Sequence, residues 1–258
     1  MELIFRPHGA GFYSTTTLIL FQIIKYVKLY GKQPIKFDFS NVFTWYNYNK
    51  NNNIFYVFFK INDIDLLESI SLKSFNYEEA GNIQFKKYNE LNLDLYYKYV
   101  NVYFNLSDQV INIYQNLINK YKLNFNNICT LFLRGNDKAT ECDIPDYNKY
   151  IKKGTELLKL NRKLQFIIQS DEKEFIDTMK TNFPNNIIFI DEIRVISKNI
   201  GQTVDKHGRT PELNHKYALN FLAIVYIMSQ CKYVICNSGN ISFWILMYRK
   251  HCVNFFQL

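Results

Sequence analysis

The sequence predicts an α/β protein built on parallel sheets with helices on both faces. Three observations lead there. In the second half, apolar runs of strand length ("ICTLFL", "LQFIIQ", "NIIFI", "YVICN", "CVNFF") alternate with helical segments, the pattern of a sheet buried on both sides. Three of these strands run into short polar stretches, as at the carboxyl edge of such a sheet, where ligands bind. The chain also opens on a loop, a helix and a strand in the same order. With 258 residues and 48% apolar content, there is enough material for two units. They are read as residues 1–123 and 124–258.

Element by element, Ser14 is placed to cap a helix through "LILFQIIKYVKLY" that stops at Gly31, and "PIKFDF" follows as a strand. From Ser40 to about Val100 the periodicity weakens, and "NIFYVFFKI" reads either as a strand or as an aromatic-rich buried turn. Ser107 opens the helix "SDQVINIYQNLINKYKL", which links the halves. After the strand "ICTLFL" come the helix "PDYNKYIKKGTELLKL", starting at Pro145, then the strand "LQFIIQ" and the amphipathic helix "EKEFIDTMKTN". The strand "NIIFI" precedes a polar loop from Asp191 to about Leu213. The helix "KYALNFLAIVYIMSQ", the strand "YVICN", the helix "ISFWILMYRK" and a last strand complete the chain.

Composition excludes several classes. The net charge of +8 suits an anionic ligand, but the basic residues are scattered among acids rather than gathered into a nucleic-acid arm, so no nucleic-acid partner is expected. Five cysteines without a CxxC pair argue against a disulfide framework and a zinc site, and point to a reducing, cytoplasmic compartment. No signal peptide is read at the N-terminus. The apolar run "LILFQIIKYVKLY" is shorter than the roughly 20 residues a bilayer requires, and Lys25 and Lys28 interrupt it, so no integral membrane segment is expected.

Chemistry concentrates at the carboxyl ends of the strands. In "LFLRGNDKATE" Arg134 directly follows strand residues, so its guanidinium fork is placed to grip phosphate oxygens bidentately. Gly135 leaves room for close approach. Asp137, Lys138 and Glu141 follow on the loop, where a carboxylate orients or deprotonates an acceptor hydroxyl and an ammonium offsets leaving-group charge. In "QSDE", Ser170 or Asp171 reads first as a helix cap. In "NSGN", the amides and hydroxyl around Ser238, Gly239 and Asn240 open a helix, so they either cap it or hold a diphosphate at its positive end. The first loop, "RPHGAGFYS", has Gly9 and Gly11 where backbone can approach a ligand, with Arg6 and His8 beside them.

In order and setting these stretches resemble the GDP-fucose-dependent fucosyltransferases, in particular the core alpha-1,6-fucosyltransferase and nodulation fucosyltransferase branch with its small bacterial and viral relatives. The family loop G-x-G-x-x-S/C before a long helix is similar to "GAGFYS". Its H-V-R-R-T-D-K-x-G-T-E is similar to "LFLRGNDKATE", its A-T-D-D to "IQSDE", and its V-C-T-F-S-S-Q to "VICNSGN". The resemblance covers about Cys129 to Gln257, and more thinly residues 6–40. It implies a GT-B fold of two Rossmann-like halves, with acceptor contacts mainly in the first and the nucleotide-sugar donor in the second. It also implies an inverting transfer of a sugar from GDP-fucose to a glycan hydroxyl without a metal ion or other cofactor.

By the same resemblance Arg134 holds the donor diphosphate, Asp137 and Lys138 organise the reaction centre, and Glu141 is the candidate base. Asp171, Ser238, Gly239 and Asn240 help hold the nucleotide, with Gly9 and Gly11 of the first loop against the donor. The chain departs from the pattern in three places. Phe132 stands where the family has a histidine, and Glu141 lies one residue closer to the Asp-Lys pair. Ala223 and Ile224 occupy the place of the aspartate that reads guanine. Either another group, such as Asp205 or Glu212, supplies that acceptor, or the donor is not GDP-fucose. A non-catalytic nucleotide- or carbohydrate-binding protein on a degenerate version of this fold is the alternative.

Overall fold

A computed structural model describes residues 2–5, 9–34, 36–51, 53–62, 81–191, 195–198 and 210–258. The chain opens with a βαβ unit in which strands β1 (Glu2–Ile4) and β2 (Lys36–Asp38) pair in parallel on either side of helix α1 (Phe12–Tyr30). Gly11, not Ser14, is the N-cap of α1, and Ser14 lies within its first turn. The helix stops as expected at Gly31, whose left-handed φ of 63° lets its N–H reach the Val27 carbonyl. Phe55–Phe58 forms a short helix α2 that runs into strand β3 (Phe59–Lys60), so "NIFYVFFKI" combines a buried helical turn with a strand. Strand β3 pairs antiparallel with β4 (Asn105–Leu106), which follows helix α3 (Leu93–Tyr103). Helix α4 (Asp108–Tyr121) is capped by the Ser107 hydroxyl, which accepts the Val110 N–H. Among the described residues the first half thus has one parallel and one antiparallel strand pair. Stacked aromatics such as Phe39 on Phe55, centroids 4.1 Å apart, fill its core.

The second half follows its sequence closely. Strands β5 (Ile128–Leu133), β6 (Gln165–Ser170), β7 (Ile187–Phe189), β8 (Tyr233–Cys236) and β9 (Phe255–Gln257) form a five-stranded sheet in the order β7-β6-β5-β8-β9. All neighbours are parallel, and Leu131 of the central strand lies opposite both Ile168 and Ile235. Helices α5 (Tyr147–Leu160), α6 (Lys173–Asn182), α7 (Pro211–Gln230) and α8 (Asn240–Arg249) connect the strands. Helix α5 begins after Asp146, whose carboxylate accepts the Asn148 N–H, so Pro145 lies just outside it. Helix α7 begins earlier than the apolar periodicity suggests, at Pro211 behind a Thr210 cap.

Two apolar clusters sandwich the sheet. On one face α5 and α6 bring Tyr150, Leu157, Phe175 and Met179 against Leu131, Phe166 and Ile168. On the other, a larger cluster runs from Phe12 and Phe21 of α1 through Leu222 and Ile224 of α7 and Trp244 of α8 to Phe132, Ile167 and Val234 of the sheet. The order of connections reverses between β5 and β8, which creates a crevice outside their carboxyl ends. Among the described residues no helix is long and apolar enough to cross a membrane.

Candidate active site

At the crevice an asparagine ties the end of β8 to the end of β5. Asn237, just past β8 and 1% exposed, accepts the Arg134 N–H at 2.9 Å and donates to the Arg134 carbonyl at 2.8 Å. This two-bond clamp fixes the backbone at which β5 turns into its loop. From there the Arg134 side chain lies along a cavity of about 280 Å³. Its guanidinium is gripped from two sides, by Asp137 at 2.6 Å and by a short contact with Asp171 from the end of β6. Asp171 spends its other oxygen on the Gly135 N–H at 2.8 Å. It therefore locks the arginine loop rather than capping α6. The Ser170 hydroxyl instead accepts the Glu172 N–H at 3.0 Å.

Gly135 does leave room for close approach, but for Glu172 rather than for a ligand. A Cβ at that position would lie 2.2 Å from the Glu172 carboxylate. Glu172 is 1% exposed and accepts the Asn136 N–H at 2.9 Å and the Tyr147 hydroxyl at 2.5 Å. Asn136 takes a left-handed φ of 47°, and its side chain donates to the Asp171 carbonyl at 3.0 Å. Burial, then the hydrogen bond to Glu172, pushes the Tyr147 phenol well above its usual range. The Arg-Gly-Asn turn is thus held from beneath by two consecutive acids of the neighbouring strand end.

Lys138 is buried at 6% exposure, which an ammonium tolerates only with acceptors around it. Glu141 supplies one at 2.6 Å and the Gln84 side-chain oxygen another at 2.7 Å, while the Phe85 ring lies 4.6 Å from the ammonium. Gln84 comes from the middle of the chain, where sequence periodicity gave no guidance. The same oxygen accepts the Asn240 N–H at the start of α8, at 3.1 Å. The Gln84 carbonyl accepts the Gly239 N–H, also at 3.1 Å, and the Tyr88 hydroxyl lies 3.2 Å from that amide nitrogen. Gly239 has φ 155° and ψ 164°, a region that is nearly glycine-only.

The cavity therefore gathers Gly9, Gly11, Arg134, Asp137, Lys138, Glu141, Asp171 and Asn240 of the residues singled out from sequence. Ser238 and Gly239 are not among its lining residues. The Ser238 hydroxyl accepts from the Gln257 side chain at 2.9 Å, and the Gly239 amide is turned to Gln84 and Tyr88. Arg6, His8 and Asp205 lie outside the described residues. Ala223 and Ile224 are fully buried in the core, and Glu212 does not line the cavity. The lining also includes Ser170, read from sequence only as a cap, and residues that sequence reasoning passed over, namely Gln84 and an aromatic wall. That wall comes from Phe12 and Tyr13 of α1, Trp45 and Tyr46, and Tyr217 and Phe221 of α7. Tyr217 and Phe221 stack on each other with centroids 5.1 Å apart, one helical turn apart on α7. The cavity thus has a charged end at the sheet edge and an aromatic end built by α1, Trp45, Tyr46 and α7, a division suited to a ligand that is part anion and part ring.

No family sequence model and no curated protein matches the chain. Solved structures do. The chain is similar to NodZ alpha-1,6-fucosyltransferase soaked with GDP-fucose, at a TM-score of 0.53 and 10% identity over 96% of this chain and 91% of that one. NodZ co-crystallised with GDP gives a TM-score of 0.52 at 10% identity over 95% and 90% of the two chains. The fucosyltransferase NodZ from Bradyrhizobium gives 0.52 at 9% identity over the same shares. Over nearly its whole length the chain has the fold of these fucosyltransferases, in the α/β, GT-B-like class its sequence predicts.

Proposed function

We propose that the protein is an inverting, metal-independent glycosyltransferase that moves a sugar, fucose in the first instance, from a nucleoside diphosphate donor to a glycan hydroxyl. The observation that carries the reading is the convergence of Arg134 and the Lys138–Glu141 pair on one cavity at the crevice between β5 and β8. The solved neighbour with GDP-fucose supports the choice of donor. Arg134 and Lys138 stabilise the departing diphosphate, and Glu141, half-exposed at the cavity, takes the proton of the attacking hydroxyl. The hydroxyl oxygen forms its bond to the anomeric carbon as the bond to the diphosphate breaks on the opposite face. A positioned base contributes roughly 10²–10⁴-fold. The aromatic end is the place for the nucleobase or the acceptor ring.

Incubation with GDP-fucose and with UDP- and dTDP-sugars, with and without simple glycan acceptors, tests the reading. Release of the nucleoside diphosphate that disappears in Arg134→Ala supports it. Absence of turnover with every donor overturns it. One observation favours the second reading, a protein that binds nucleotide or carbohydrate without turnover. Among the described residues the charged end carries three carboxylates (Asp137, Glu141, Asp171) against two cations (Arg134, Lys138), and each of these cations already has an internal acidic partner. Binding without turnover in the same screen selects it.

A further inference from the structure

Gln84 is the residue that neither the motif pattern nor the proposed roles absorb. It lies in the turn Ile83–Phe85, is 7% exposed, lines the cavity, and comes from sequence far from Lys138 and Asn240, which it touches. Its side-chain oxygen sits between the buried Lys138 ammonium at 2.7 Å and the Asn240 N–H at 3.1 Å, with its own amide nitrogen donating to the Gly81 carbonyl at 3.0 Å. These are a cation and a backbone donor at the charged end of a cavity, already converging on a single oxygen atom.

We infer that Gln84 is a specificity-determining residue whose carboxamide oxygen stands in the place of an anionic phosphoryl oxygen and must be displaced by it. The inference rests on the glycosyltransferase reading and names how the donor is admitted. Its logic is one of relative strength. Gln84 offers the Lys138 ammonium a neutral oxygen, whereas a phosphoryl oxygen brings a full negative charge and with it a coulombic attraction that a carboxamide dipole lacks. The exchange of Gln84 for a phosphoryl oxygen is therefore favourable. The exchange of Gln84 for a neutral sugar hydroxyl gains nothing and strands the carboxamide. Gln84 thus admits an anion to the charged end and turns away an uncharged glycan, which is left the aromatic end. The α8 amide does not carry the inference alone, because Lys138 is buried and has only Glu141 as a charged partner among the described contacts.

The test is calorimetric binding of inorganic pyrophosphate, and separately of GDP, to the full-length wild type, Gln84→Ala and Gln84→Glu. Removal of the competing oxygen is expected to tighten pyrophosphate binding by about tenfold in Gln84→Ala, the worth of one charge-assisted hydrogen bond. The fixed carboxylate of Gln84→Glu is expected to weaken binding by about tenfold or more through repulsion and a stronger hold on Lys138. The alanine result has the opposite sign to that of a merely structural role, in which loss of Gln84 would loosen Lys138 and weaken binding. Gln84→Glu keeps an acceptor at the contact and tests the claim even where the alanine variant is unstable. Equal pyrophosphate affinity in all three, weaker binding in Gln84→Ala, or no pyrophosphate binding at all overturns the inference. An ordered response to pyrophosphate without turnover of any nucleotide sugar leaves it standing and removes the transferase reading. Turnover with unchanged pyrophosphate affinities does the reverse.

Discussion

Gly135→Ala tests the architecture beneath Arg134. The added Cβ would sit 2.2 Å from both Cδ and Oε1 of Glu172, more than an ångström inside ordinary contact, and 2.6 Å from its Cγ. Glu172 is buried, and its carboxylate is committed to the Asn136 N–H at 2.9 Å and the Tyr147 hydroxyl at 2.5 Å. If it swings away, two bonds to a charged group are lost, each worth roughly 1.5–3 kcal/mol. If the loop moves instead, the Gly135 N–H leaves Asp171 and the arginine clamp opens. Either route costs about 3 kcal/mol or more. Urea denaturation should show a lower midpoint with an unchanged slope. Repeating the substitution on Glu172→Ala, where the obstruction is gone, should cost less than about 1 kcal/mol, a coupling of about 2 kcal/mol or more. A loss below about 1 kcal/mol in the wild-type background, or equal losses in both backgrounds, would refute the steric account.

Three further outcomes are expected. Asn237→Ala, which removes both bonds to the Arg134 backbone, should cost about 2–3 kcal/mol of stability, measured by chemical denaturation. Glu141→Gln should keep GDP binding by calorimetry while lowering transfer by about 10²-fold or more; near-normal transfer would move the base to another carboxylate. Burial pushes the partly exposed Cys142 thiol above its usual range, with Lys138 acting the other way. A raised pKa keeps the thiol protonated at neutral pH. Its reaction with a thiol reagent should therefore be slow near pH 7 and accelerate only as the pH passes its ordinary value. Rapid labelling of Cys142 at pH 7, located by mass spectrometry, would contradict this.

The second half was legible because its strands are short, continuous apolar runs bounded by polar turns, and a parallel sheet allows few other arrangements. "ICTLFL" becomes β5 residue for residue, and the charged stretch after it lies at the cavity as its position demanded. The first half was not legible because aromatic packing there overrides periodicity. Phe55 and Phe58 sit on a four-residue helix that no window of 11–18 residues detects. Caps were read one shell too simply. Ser14 and Asp171 have the chemistry of caps, but Gly11 begins α1 and Asp171 is drawn to Arg134 by an opposite charge that only the fold brings near. Gln84 shows the limit most plainly, since its partners Lys138 and Asn240 lie 54 and 156 positions away. A neutral side chain in a weakly patterned segment carries no local sign of such contacts.

The shared apolar cluster that joins α1, α7, α8 and one side of the main sheet also limits how the molecule can move. Swinging the halves apart like a clamshell would pull Phe12, Phe221 and Trp244 out of a common interior and expose them to water. Burying one such side chain is worth about 1.5–3 kcal/mol, so wide hinge opening carries a cost of several kcal/mol. Access to the cavity is then expected to depend on rotamer changes and loop shifts around a fixed frame.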